Sequence, residues 1–137
     1  MAVDLQDVKA RVGEVSGLTK VNGVVNAAHA LATSSRPGAA FVAVSSERAA
    51  PNKTSGAHRQ KVDCQIAVLL CLAAQQAADD VPDDAEAIRI AVRDHLTGWR
   101  PAGAERNLDY ASYSVIRLGG GLVWLQLLFT TNYKLNA

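Results

Sequence analysis

The chain is expected to fold as an α+β protein, with an antiparallel sheet of about four or more strands flanked by helices and a long polar hairpin or loop arm. Three stretches predict this. Residues 83–98 repeat apolar side chains at helical spacing, and residues 59–66 alternate apolar and polar side chains as a half-buried strand does. Gly119-Gly120-Gly121 then joins two apolar-rich extended segments.

Taken in order, Leu5, Val8, Val12 and Val15 recur at helical spacing, with Asp7, Lys9, Arg11 and Glu14 largely on the other side. Asp4 suits the N-cap and Gly17 a stop, so the first helix is expected over residues 4–15. Val24, Ala28 and Leu31 keep a helical spacing, which predicts a second short helix over residues 22–32 that includes His29. Thr33-Ser34-Ser35-Arg36-Pro37-Gly38 is a turn or loop. Phe41, Val42 and Val44 suit a buried strand over residues 39–44. Residues 45–59 then become polar, a long excursion before the next strand.

That next strand starts amphipathic, with Val62, Cys64 and Ile66 on one face and Lys61, Asp63 and Gln65 on the other. It becomes apolar on both sides through Val68-Leu69-Leu70-Cys71-Leu72, as in a covered region of sheet. Periodicity alone leaves a helix over residues 66–78 open; the upstream alternation favours strand. Cys64 and Cys71 are seven apart, which on a strand puts them on opposite faces, so they are expected to stay free, buried thiols. After a linker at residues 77–82, Asp83 and Glu86 match a capping box. Ala85, Ile88, Val92 and Leu96 make the apolar stripe, His95 faces the negative end of the helix, and Gly98 stops it. The Gly119-Gly120-Gly121 turn links a strand carrying Tyr110, Tyr113, Val115, Ile116 and Leu118 to one running from Leu122 to Phe129.

The composition bounds the function. At 137 residues the chain is expected to form one domain spanning 1–137. A net charge of +1 argues against a dedicated nucleic-acid binder relying on a large basic field. Early acids and the lack of an apolar core in Met1-Ala2-Val3-Asp4-Leu5-Gln6-Asp7 argue against a secretory signal. The apolar run at residues 66–74 is far too short for a membrane span, so a soluble, cytosolically made chain is expected.

Catalytic patterns are missing from the sequence. His29, His58 and His95 are isolated, and neither cysteine has a close metal-binding neighbour. The glycine triplet lies between strands, not at a phosphate-binding strand-to-helix turn, and no nucleophile elbow occurs. Asp79-Asp80 and Asp83-Asp84 are more simply caps and solvating charge than a metal site. No enzyme, cofactor or metal is therefore expected.

Two features point to partners instead. In the last strand Val123, Leu125, Leu127 and Phe129 line one face, while Leu122, Trp124 and Leu128 line the other. Helices on one side of a small sheet cover one face only, so another copy of the chain is an economical cover for the second. The polar excursion carries Arg48, Lys53, His58, Arg59 and Lys61 against one acid, Glu47. It reads either as an arm on a neighbouring subunit or nucleic-acid backbone, or as a solvated loop. Leu122, Trp124, Leu128, Arg48, Lys53 and Arg59 are thus the candidate subunit or partner interface.

This order of features resembles the tail terminator (tail-completion) proteins of long-tailed bacteriophages and related tail-like particles. The resembling pieces are the N-terminal helix, Arg36-Pro37-Gly38-Ala39-Ala40-Phe41-Val42, and the strand Gln60-Lys61-Val62-Asp63-Cys64-Gln65-Ile66-Ala67-Val68. Leu96-Thr97-Gly98-Trp99-Arg100-Pro101 and Gly119-Gly120-Gly121-Leu122-Val123-Trp124 complete the set. The resemblance implies a virion protein made in the host bacterial cytoplasm and placed at the neck-proximal end of the tail. It implies a homo-oligomeric, six-fold ring that caps the tail tube protein, stops polymerisation and docks the head-neck connector proteins. A sheath protein joins these partners if the tail is contractile; DNA passes through the ring without sequence-specific binding, and no membrane is involved. The family offers no catalytic residues to carry over. Two other readings stay open: another head-tail joining or baseplate component, and a small enzyme or ligand-binding domain with its site at the Trp99-Arg100 loop.

Overall fold

The computed structural model describes residues 2–23, 37–51, 59–73 and 83–136. Helix α1 (Leu5–Gly13) leads to strand β1 (Lys20–Gly23), then β2 (Ala39–Ala49) and β3 (Arg59–Ala73). Helix α2 (Asp83–Leu96) precedes the hairpin of β4 (Asp109–Gly119) and β5 (Leu122–Asn136). The five strands form one sheet in the order β1-β2-β3-β5-β4. Every pairing is antiparallel except β1 with β2, so the fold is α+β with a mostly antiparallel sheet.

Helix α1 begins as its residues require. Asp4 adopts an extended backbone and its side chain accepts from the Gln6 N–H at 2.9 Å. Val8 and Val12 are buried. The regular helix stops at Gly13, two residues before Val15, and turns continue to Gly17. The predicted helix over residues 22–32 fails where it can be checked. Asn22 and Gly23 end β1 and pair with Phe41 and Val42. The reason is that β2 offers a free edge there, and ladder pairing outweighs the weak helical spacing around Gly23. Residues 24–32, with His29, lie outside the described residues.

Strands β2 and β5 both run further than their apolar runs suggested. β2 was expected to end at Val44, but after a register shift it continues, pairing Ser46 with Gln65 and Ala49 with Val62. Residues 45–49 of the expected polar excursion are therefore strand, and Arg59 is the first residue of β3. β5 continues past Phe129 because Arg59 to Gln65 give Thr130 to Asn136 a ladder partner. Central β3 is strand throughout Arg59–Ala73, which removes the helix alternative over its described part.

Both described helices cover the same sheet face. Val8, Val12, Val92 and Leu96 pack with Ile66, Val68, Leu70, Val123, Leu125, Leu127 and Phe129 in the main core. A second apolar layer lies on the opposite face, built from Ala39, Phe41, Ala67, Leu69, Cys71 and Trp124. The cysteines divide between these layers, Cys64 in the first and Cys71 in the second, and both are free. Burial raises both thiols, Cys64 to about 11 with a further push from the Glu47 carboxylate, so both stay protonated at neutral pH.

The expected capping box at the start of α2 lies outside the described side chains. Asp83 is itself the first helical residue, and the Glu86 carboxylate binds the Arg89 side chain one turn on. The C-terminal stop is as expected: Gly98 takes φ +83°, and its N–H donates to the Leu108 carbonyl at 2.9 Å.

Candidate assembly interface

The loop after α2 is a structural corner tied down by backbone contacts. The Asp4 N–H donates to the Ala102 carbonyl and the Ala102 N–H donates to the Asp7 carboxylate, both at 2.8 Å. The Leu108 N–H donates to the Trp99 carbonyl at 2.8 Å. Arg11 donates from Nε to the His95 carbonyl at 3.0 Å and lies 5.3 Å from the centre of the Trp99 ring. His95 Nε2 lies 3.5 Å from Glu14 but forms no hydrogen bond, so this is a charge contact only when the ring is protonated. These contacts bolt α1 to the end of α2. Among the described residues no group of His, Cys, Asp and Glu could hold a metal ion.

The three apolar candidates on β5 have different surroundings. Trp124 is only 4% exposed and stacks on Phe41, with ring centroids 5.8 Å apart and planes 21° apart. It belongs to the second core layer of its own chain. Leu122 and Leu128 are half-buried at the margin of that layer, beside Ile116. Two further apolar residues of the β4 edge are exposed, Val115 at 44% and Leu118 at 41%; standing opposite Leu125 and Val123, they lie on the helix-bearing face and not with Leu122 and Leu128. Their signal was weak, because β4 is half-buried at Tyr110, Tyr113 and Ile116 and exposed elsewhere, without strict alternation. Two register shifts, around Ala111 and Ile116, break that alternation.

Tyr113 anchors β4 to α2. The Arg89 guanidinium lies 4.1 Å over the Tyr113 ring and is held on its other side by Glu86. Arg89 holds the Glu86 carboxyl below the usual carboxylate range, chiefly by hydrogen bonding, while burial, above all, pushes the Tyr113 phenol up.

Of the arm residues, Arg48 and Arg59 belong to the extended ends of β2 and β3, and Lys53 lies outside the described residues. On the sheet face opposite Val62 and Cys64, three polar rows cross this part of the sheet. Ser46, Gln65 and Thr130 form the first row, and Arg48, Asp63 and Asn132 the second. Lys61 stands opposite Lys134 in the third. The other face is closed by the Tyr133 hydroxyl donating to Glu47 at 3.0 Å, within a site where burial, above all, raises the Tyr133 phenol. A cleft of ≈ 290 Å³ opens beside the first two rows, bordered by Arg106. Arg106 is paired with Asp109 at 2.6 Å.

No curated protein sequence matches the chain. One similar solved structure is a chain from the "Virion of native gene transfer agent (GTA) particle", at 18% identity and a TM-score of 0.44, covering 93% of this chain and 84% of that one. The family model "Phage tail terminator protein" matches residues 1–137. The chain, matched over its whole length by that model, belongs to the phage tail terminator family and is a structural protein of the virion tail.

Proposed function

We propose that the chain forms an oligomeric ring on a completed tail tube, ends polymerisation there and presents the surface to which the head-neck proteins dock. Membership of the tail terminator family over the full chain is the observation that carries this reading. The chain acts without catalysis, through its surfaces, and the six-fold ring leaves a passage for DNA. A sheath protein is a further neighbour if the tail is contractile.

The subunit contact is assigned to the β4 side of the sheet, with half-buried Leu122 and Leu128 on one face and exposed Val115 and Leu118 on the other. Such apolar surface gains about 25 cal/mol for each Å² that a neighbour covers. Trp124 supports that surface from beneath. Arg48, Lys53 and Arg59 are assigned to contacts beyond the subunit's own core.

Solution mass followed by low-resolution imaging tests the ring. Rings of about six copies are expected, and Leu128→Asp is expected to shift the mass towards monomer while the circular dichroism stays native. A strict monomer of the unaltered chain at every concentration contradicts the reading. So does a Leu128→Asp chain that assembles as well as the original.

A further inference from the structure

We propose that the polar rows on the outer sheet face, centred on Arg48, Lys61 and Lys134, form a sequence-independent contact for the phosphate backbone of duplex DNA. Three observations converge there. Lys61 and Lys134 stand directly opposite each other on neighbouring strands. Like charges in that position destabilise a sheet, so an anion between them relieves a repulsion the fold otherwise carries. Arg48 stands in the adjoining row across from Asp63, which also lies 3.8 Å from Lys61. One acid therefore shares two cations, while Lys134 has no ion-pair partner among the described residues.

The remaining members of the rows decide the class of partner. Ser46, Gln65 and Thr130 supply hydroxyls and an amide, the groups that with Arg and Lys make most phosphate contacts, while Asn132 is buried. No aromatic or aliphatic side chain stands in these rows. A protein partner would be met by a core depleted in charge and enriched in aromatics, and single-stranded nucleic acid by stacking rings. The rows offer neither. Same-face residues on a strand recur about every 6.7 Å, so the rows span several phosphates of one groove edge.

The inference rests on the face itself and does not require the ring. It gives a ring subunit one way to meet the DNA that passes through, without reading its sequence.

Binding of the full chain to a random-sequence duplex, read by fluorescence anisotropy at several salt concentrations, tests it. Three cations, each neutralising one phosphate, give an expected slope of about −2.7 in log affinity against log salt, so fourfold more salt weakens binding roughly 40-fold. Lys61→Gln with Lys134→Gln, both at exposed positions, is expected to bring the slope to about −1 and to weaken low-salt binding at least about tenfold. Lys20→Gln with Arg100→Gln removes equal charge away from the rows and leaves binding unchanged. Equal loss in both pairs, or poly-glutamate bound as tightly as duplex, overturns the proposal; the second result assigns the face to an acidic protein. Solution mass of the same samples keeps the two readings apart. Rings that bind no duplex overturn this inference alone, and monomers that bind it overturn the ring alone.

Discussion

At the residue scale, two positions carry more of the fold than their chemistry suggests. Gly103 takes φ +85°, and a Cβ there would lie 2.2 Å from the Ala2 carbonyl oxygen. Gly103→Ala therefore combines left-handed strain with a backbone clash, at the corner where Ala102 holds Asp4 and Asp7. A loss of at least about 2 kcal/mol is expected from urea unfolding. The second position is Arg89, whose side chain is 12% exposed between Glu86 and Tyr113. Arg89→Ala is expected to lose about 2 kcal/mol at neutral pH, from one charged hydrogen-bond pair and one cation–π contact. Part of that loss depends on pH. The Glu86 carboxyl is lowered in the fold, so its contribution is complete above the ordinary carboxylate range and disappears as pH falls through the lowered value. The gap between the two chains should narrow as pH falls below the ordinary carboxylate range. A gap that is constant with pH would mean that Glu86 is a bystander.

At the scale of elements, legibility followed periodicity. The spacing of Val8 and Val12, and of Ala85, Ile88, Val92 and Leu96, placed both described helices because a one-sided core imposes that period. The alternation of Val62, Cys64 and Ile66 placed the start of β3, and the odd spacing of the cysteines correctly separated their layers. Gly120 and Gly121, at φ +63° and +78°, confirm the hairpin, since both central residues have the sign that a two-residue turn requires. What could not be read were the polar ends of strands. Ser46 to Ala49 and Thr130 to Asn136 are strand because their partners in β3 are strand, a fact set by pairing rather than by their own side chains. β1 escaped for the same reason. Trp124 was legible as apolar and inaccessible as to cover: the sequence placed it on the second face, and its stacking on Phe41 makes that face a core layer. Trp124→Ala is accordingly expected to lower stability by about 3–5 kcal/mol in chemical denaturation. A change under about 1 kcal/mol would return Trp124 to the surface.

At the scale of the molecule, the sheet has two unequal halves. Its inner half is apolar on both faces, and its outer half is polar, from Ser46 to Lys134 on one face. No helix among the described residues is long and apolar enough to cross a membrane. The candidate interface was partly legible. The sequence marked Leu122 and Leu128, whose margin the structure keeps half-open, and it marked Arg48 and Arg59 as members of an arm. It did not single out Val115, Leu118 or Lys134, because exposure depends on which strand lies at an edge and which residue faces which. The central claim is that this surface ends a growing tube. Tail lengths measured by electron microscopy after an infection lacking this chain test it most directly. A broad distribution extending well beyond the normal length is expected, narrowed again when the chain is supplied in trans. Tails of normal, uniform length without the chain would contradict it, and would place the protein elsewhere in the tail.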